Sequence, residues 1–94
     1  MAERGRFSGT IRFWRPEREG GLAVVDVPPD VTATLGGLKQ KKVRGTLNGA
    51  GFTSNTMPAG GGRLALSVSR KMLAAADLRV GDEGEFEVEL IEHA

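Results

Sequence analysis

The stretch RLALSVSRKMLAAADLRVGDEGEFEVEL, residues 63–90, contains the clearest structural pattern in the sequence. Apolar and polar residues alternate over Arg63–Ser69 and again over Glu85–Leu90, and this period of two is typical of strands with one buried face. Between them, Arg70–Leu78 is rich in Ala, Leu and Met and follows a serine that can cap a helix. The Gly81-Asp82 pair then turns the chain. We therefore predict a strand, a short helix, a turn and a strand, in this order.

Four further strands and one helical turn are predicted before this segment, from alternation, short apolar runs and flanking proline or glycine. The Asn48-Gly49 dipeptide is a strong hairpin signal. Pro58 should stop the return strand, because proline donates no hydrogen bond to a ladder, and Ala59–Gly62 is predicted as a flexible loop. The predicted strands are Phe7–Trp14, Leu22–Val27, Lys42–Gly49 and Phe52–Met57, and the helical turn is Asp30–Leu35.

These elements, about six strands with one short helix over residues 70–78, indicate a mainly β fold in a chain of 94 residues. Short strands joined by glycine-rich turns favour a small barrel, because closure removes the exposed edges of a sheet. The fourteen glycines fit this interpretation, since glycine readily adopts the positive φ of tight turns. We expect a single domain over residues 1–94.

Composition excludes several kinds of chemistry. The chain has no cysteine, so it has no disulfide, no thiolate metal site and no cysteine nucleophile. No apolar run approaches the ~20 residues that a membrane-spanning helix needs, and the charged N-terminal residues do not resemble a signal peptide. We therefore expect a cytoplasmic protein without a membrane partner.

Charge is distributed unevenly along the chain, although the net charge is only +1. Residues 1–71 contain twelve Lys and Arg against five Asp and Glu, whereas residues 72–94 contain one arginine against seven acidic residues. A basic body can attract a polyanion. The alternative, which we favour, is that the acidic strand Glu85–Leu90 lies beside basic strands, because opposite charges on neighbouring strands stabilise a sheet.

Few residues offer catalytic or metal-binding chemistry. His93 is the only histidine and lies near the end of the sequence, where chains are usually mobile, so we interpret it as solvated. Glu85, Glu87 and Glu89 share one strand face, but the strand rise spaces them about 7 Å apart, which is wide for one ion. We interpret them as solvated or paired with arginine. The sequence thus predicts no catalytic residue, no metal site and no cofactor.

A glycine-rich loop followed by an arginine is the main candidate for ligand binding. The backbone N–H groups of Gly60, Gly61 and Gly62 can hold an anion together with the side chain of Arg63. Asn48, at the predicted hairpin turn, can help to clamp a carboxylate or phosphate group. The alternative, which we favour, is that the glycines form only a flexible hairpin loop.

Basic residues and one tryptophan suggest a second candidate surface. Cationic side chains on the polar sides of two strands can bind phosphates, and an exposed tryptophan can stack on a base. The alternative is that the first strand bends and its tryptophan caps the barrel. Nucleic acid is the less favoured partner, because the overall charge is near neutral. The residues of this surface are Arg12, Trp14, Arg15, Lys42 and Arg44.

The segment Val43–Gly49, VRGTLNG, carries a resemblance to a known family. The chain resembles DUF1905, a bacterial family of unknown function. The family often has a histidine where this sequence has Leu64, so any role of that histidine is absent here. The other matching positions are Phe52, Met57-Pro58, Gly60, Gly62, Arg63, Leu66, Val68, Arg70-Lys71, Gly81-Asp82, Phe86, Val88 and Leu90.

The resemblance implies a small double-split β-barrel, distantly related to the DNA-binding regulators and antitoxins of the AbrB and MazE type. The shared part is the strand–helix–Gly-Asp–strand unit over Leu64–Leu90. Because one fold supports many functions, the resemblance alone assigns none.

Three hypotheses on function follow. We favour a non-catalytic binding module that recognises a protein or a small ligand, since catalytic groups are missing. An alternative is an AbrB-like DNA-binding regulator, which the Leu64–Leu90 unit and the basic residues support. A third is an enzyme acting on a small anionic substrate held by Asn48 and Arg63, although the sequence offers it no general base.

Overall fold

Seven strands and two short helices make up the part of the chain that the computed structural model describes, which is residues 4–15, 17 and 21–91. The helices are α1 (Pro29–Thr34) and α2 (Arg70–Ala76). The strands are β1 (Arg4–Thr10), β2 (Arg12–Phe13), β3 (Ala23–Val27), β4 (Lys42–Leu47), β5 (Ala50–Gly60), β6 (Arg63–Val68) and β7 (Glu83–Leu90).

The strands form one curled, half-barrel sheet in the order β1-β7-β4-β5-β6-β3-β2, and neighbouring strands are antiparallel. The mainly β, barrel-like fold predicted from the sequence is confirmed. The rings of Phe7 and Phe86 stack in the core with their centroids 5.1 Å apart. Around them pack the buried side chains of Ile11, Val25, Leu35, Val43, Leu47, Leu64, Leu66, Val68 and Val88.

The first predicted strand is divided in two at Ile11. β1 pairs with β7 at one end of the sheet, whereas β2 pairs with β3 at the other end. The side chain of Ile11 is fully buried. Its N–H donates to the carbonyl of Asp82 at 2.9 Å, and its carbonyl accepts from the N–H of Gly81 at 2.7 Å. The chain itself therefore joins the two ends of the curled sheet, which gives seven strands where about six were predicted.

The prediction that Pro58 stops the return strand is wrong. β5 continues to Gly60, with an irregular register between these two residues. The N–H of Thr56 donates to the carbonyl of Lys41, and backbone groups two residues apart point to the same side of a strand. The nitrogen of Pro58 therefore faces the side on which the pairing with β4 has ended, so no ladder bond is lost.

Gly61 and Gly62 form a tight turn between β5 and β6, in place of the flexible loop predicted over Ala59–Gly62. Their φ angles are +60° and +75°, and positive φ at both central residues is typical of a type I′ hairpin turn. Backbone geometry alone therefore explains why glycine occurs at these two positions.

Helix α2 begins where the sequence predicted and ends two residues earlier. Ser69 Oγ accepts a hydrogen bond from the N–H of Met72 at 3.1 Å, as expected of an N-cap. Asp77 adopts the left-handed conformation, with φ 56° and ψ 46°, which ends a helix. The N–H of Leu78 then donates back to the carbonyl of Leu73 at 2.9 Å. Helix α1 begins and ends one residue before the predicted helical turn Asp30–Leu35.

β4 and β7 approach each other closely at Gly45, which lies opposite Val88 in the ladder. A Cβ atom at position 45 would overlap the carbonyl oxygen of Glu87. That oxygen belongs to the backbone, so it cannot move aside as a flexible side chain can. Any residue other than glycine would therefore force these two strands apart.

We expect Gly45→Ala to lower the free energy of unfolding by roughly 1–3 kcal/mol, as overpacking does in other protein interiors. Gly51→Ala is the matched control, because the nearest atom to a Cβ there is the Gly45 carbonyl oxygen at 4.0 Å. Urea unfolding followed by circular dichroism measures both variants. Equal unfolding midpoints for the two would contradict the close approach of β4 and β7.

Candidate functional site

Charged residues of β1, β7 and β4 form an ion-paired surface, which we call the arginine–glutamate face: Arg4, Arg6, Arg44, Glu87 and Glu89. In the ladders, Glu87 lies opposite Arg6, and Glu89 lies between Arg4 and Arg44. Glu87 accepts from Arg6 Nη2 at 2.7 Å and from Arg4 Nη1 at 3.0 Å. Glu89 accepts from Arg44 Nε at 3.2 Å. The prediction that the acidic strand lies beside basic strands is confirmed.

The arginines set the protonation of Glu87. The hydrogen bond from Arg6 is the main cause that holds the pKa of Glu87 below its ordinary value of 4.5, and the charges of Arg6 and Arg4 act in the same direction. A carboxylate that stays ionised and accepts from two guanidinium groups is poorly suited to take or give a proton at neutral pH. Glu87 therefore helps to position the arginine side chains of this face and is not suited to acid–base catalysis.

A groove of about 640 Å³ opens between this face and helix α2, and we call it the α2 groove. Its size lies within the range of small-molecule sites. β1, β4, β5, β7 and α2 all contribute to it. Its apolar lining includes Phe52, Met72 and Val88, and its hydroxyl groups come from Thr46, Thr53 and Ser69.

A missing side chain on β5 leaves part of this groove open. Gly51 lies opposite Thr46 in the ladder between β4 and β5. Apart from its chain neighbours, the carbonyl oxygen of Gly45 is the one atom of the described residues within 4.0 Å of the place where a Cβ of Gly51 would lie. Gly51 therefore lines a space that a larger residue would fill without a clash in the backbone.

The sequence-predicted ligand residues lie at opposite ends of β5. Asn48 is in the turn before this strand, and its amide oxygen accepts a hydrogen bond from the N–H of Glu85 at 2.8 Å. Its own N–H donates to the carbonyl of Glu85 at 2.9 Å. The group Gly60–Arg63 follows the other end of the strand. The structure thus does not bring Asn48 together with the glycines, and it shows a role for Asn48 in joining the hairpin to β7.

Gly62 and Arg63 line a second groove of about 560 Å³, located between β1 and β3, and we call it the split groove. Arg12 also lines it and donates to both oxygens of Asp26, from Nε and from Nη2, each at 2.9 Å. The hydrogen bond from Arg12 lowers the pKa of Asp26, and the charge of Arg63 acts in the same direction. Anion binding by Arg63 in this groove stays a prediction.

The residues predicted for nucleic acid are divided between two parts of the sheet. Arg12, Trp14 and Arg15 belong to β2 and the turn after it, whereas Lys42 and Arg44 belong to β4. Strands β5, β6 and β3 separate β4 from β2 in the sheet order. Two of these cations are already paired with carboxylates, Arg12 with Asp26 and Arg44 with Glu89. Trp14 is half-buried, so it does not offer a fully exposed ring.

Metal-binding residues are sparse in the part of the chain that the structure describes. No group of three or more His, Cys, Asp or Glu residues there is placed to hold an ion. Arginines pair with Glu87 and Glu89, as the sequence interpretation of that strand allowed. His93 lies outside the described residues. None of the described helices is long and apolar enough to cross a membrane.

Comparison with known proteins places the chain in a family. The model of the family described as Domain of unknown function (DUF1905) matches residues 7–88. The chain belongs to the DUF1905 family. The match begins within β1 and ends within β7, so it covers the lining of the α2 groove except Arg4 and Glu89. No curated protein and no solved structure matches the chain.

Sequence reasoning did not identify the α2 groove of this DUF1905 protein. Its lining comes from five elements spread over residues 4–89, and the residue that leaves space in it, Gly51, has no motif of its own. One signal was available, because residues 85–90 alternate acidic and apolar side chains and so predicted a charged face. The position of α2 beside that face depends on tertiary packing.

In this DUF1905 protein we expect Arg6→Gln to raise the pKa of Glu87, since the hydrogen bond from Arg6 is the main cause of its lowering. The folded pKa lies below the unfolded one. This pairing therefore stabilises the fold above the unfolded pKa, and that stabilisation is lost as pH falls through the folded pKa.

Carbon-13 NMR of the side-chain carboxyl groups measures this titration. Arg15→Gln is the control, because Arg15 is exposed and lies outside the arginine–glutamate face. If Glu87 titrates at the same pH in the Arg6 and Arg15 variants, the assignment of the shift to Arg6 is wrong.

Proposed function

We propose that the protein is a non-catalytic binding module that holds a small ligand in the α2 groove. The observation that carries the proposal is the open space beside Gly51, which lies between helix α2 and the arginine–glutamate face. This choice narrows the sequence hypothesis, which left a protein and a small ligand as alternatives. We also propose that the protein is bacterial and cytoplasmic, which is supported by the family resemblance and by the absence of cysteine.

The lining of the groove supports a small organic ligand. Phe52 is half-buried, so it offers apolar contact without being a mobile surface side chain, whereas Val88 and Met72 are buried and form the floor behind it. Thr53 and Thr46 add hydroxyl groups. Small-molecule sites typically combine an apolar lining with a few polar groups that orient the ligand.

The charges of the groove favour binding over catalysis. Glu87 and Glu89 both accept hydrogen bonds from arginine, and the pKa of Glu87 is lowered, so they are weak candidates for a general base. Ser69 uses its hydroxyl oxygen to cap helix α2. A serine acts as a nucleophile when an adjacent base activates it, and no histidine lines the groove within the described residues.

A substitution that fills the groove tests this proposal. Gly51→Leu places a side chain in the open space, whereas Asn55→Leu places the same side chain on the same face of the same strand outside the groove. We expect both variants to fold, and only Gly51→Leu to lose ligand binding.

The measurement is mass spectrometry of compounds that the purified proteins retain from a bacterial metabolite extract. We expect compounds enriched by the wild type and by Asn55→Leu to be absent from Gly51→Leu. The same compounds on all three proteins would show that the ligand binds elsewhere. Conversion of a retained compound by the wild type would contradict a non-catalytic role.

A further inference from the structure

We infer that the α2 groove selects ligands that carry an oxyanion, either a phosphate or a carboxylate group, bound between Arg44 of β4 and Lys71 of α2. This inference rests on the proposed function, because it names the ligand chemistry of the same groove. It follows from the charge balance of the lining, the free donors of these two side chains and the neighbouring hydroxyl groups.

Positive charge exceeds negative charge among the described residues that line the groove. These comprise three cations and the two carboxylates Glu87 and Glu89. Both carboxylates are occupied, since Glu87 accepts from two arginines and Glu89 lies within 3.6 Å of Arg4 Nη2 and 3.2 Å of Arg44 Nε. Because the carboxylates are neutralised and one cation remains in excess, the groove attracts an anion rather than a cation.

Arg44 keeps donors available for such an anion. Its Nε donates a hydrogen bond to Glu89, which holds the side chain in position. Within the described residues, the Arg44 side chain makes no other hydrogen bond. Its two terminal NH₂ groups donate to none of those residues. The side chain is 61% exposed, so these donors are accessible. A guanidinium fork of this kind can bind a phosphate or carboxylate through two parallel hydrogen bonds.

Lys71 supplies a second cation from the helix. It is exposed, lines the groove and makes no ion pair with any residue that the structure describes. A lysine acts as a compact charge on a flexible stem, so it can follow an anion that the arginine has oriented. The two cations come from different elements, β4 and α2, so they line the groove from two sides.

The remaining lining defines the rest of the ligand. Thr53 and Thr46 have hydroxyl groups that make no hydrogen bond to described residues, so they can donate to anionic oxygens. Phe52, which is half-buried, offers an apolar surface for a carbon skeleton. The groove therefore fits an organic anion with an apolar body better than a bare inorganic ion.

Three probes of similar size separate charge from shape: phenyl phosphate, benzoate and benzyl alcohol. We expect isothermal titration calorimetry at low salt to show that an anionic probe binds about tenfold or more tightly than benzyl alcohol, since hydrogen bonds to charged groups are the stronger ones. The comparison of phenyl phosphate with benzoate identifies which oxyanion the groove prefers. The affinity for the anions should fall as salt is added.

Lys71→Gln removes one cation from the groove, and Lys39→Gln removes the same charge from an exposed lysine outside it. We expect Lys71→Gln to lower the affinity for the preferred anion by about tenfold and to leave the affinity for benzyl alcohol unchanged. Lys39→Gln should bind all probes as the wild type does. Arg44→Lys keeps the positive charge but removes the guanidinium fork, so it should also lower the affinity for the anion.

Failure of this inference is distinguishable from failure of the proposed function. Equal affinity for all three probes, no anion binding at millimolar concentration, or an unchanged anion affinity in Lys71→Gln would overturn the oxyanion inference. A loss of every bound probe in Gly51→Leu would still support a ligand site in the groove. Unchanged anion binding in Gly51→Leu would overturn both, because the anion would then bind elsewhere.

Discussion

Strand β7 hydrogen-bonds to β1 along one edge and to β4 along the other, and the pairing of these three strands determines much of the molecule. On one face of β7, Phe86 and Val88 are buried in the core. On its other face, Glu87 and Glu89 orient three arginines. β4 can approach β7 closely only because Gly45 has no side chain. The core and one side of the α2 groove therefore depend on the same ladders.

The sequence allowed most of the fold to be predicted, because a period of two marks a strand wherever one face is buried. The partners of each strand were not predictable in this way. Phe7–Trp14 alternates as one strand, yet its two halves pair at opposite ends of the sheet. The division occurs at Ile11, whose backbone forms hydrogen bonds with the turn before β7. The prediction that Pro58 ends its strand was wrong for a related reason. A proline disrupts a strand only where a neighbouring strand would accept a hydrogen bond from the missing N–H.

The candidate site was harder to predict, because local motifs described the backbone rather than a ligand. Gly61 and Gly62 are explained by the turn that they form, and the amide of Asn48 is occupied by the N–H of Glu85. Gly51, in contrast, has no motif, and its effect is visible only when α2 and β4 are placed beside it. A groove formed by five elements and one absent side chain depends on packing, which the pattern of single strands does not encode.

Chemical-shift mapping of the protein's backbone amides with phenyl phosphate tests most directly whether the α2 groove is a ligand site. We expect the largest changes near the groove, and small changes at the split groove and the Gly61-Gly62 turn. Changes centred on Gly60–Arg63, or spread evenly over the surface, would contradict the assignment of the ligand to the α2 groove. The amides expected to shift are those of Arg44, Thr46, Gly51, Thr53, Ser69 and Lys71.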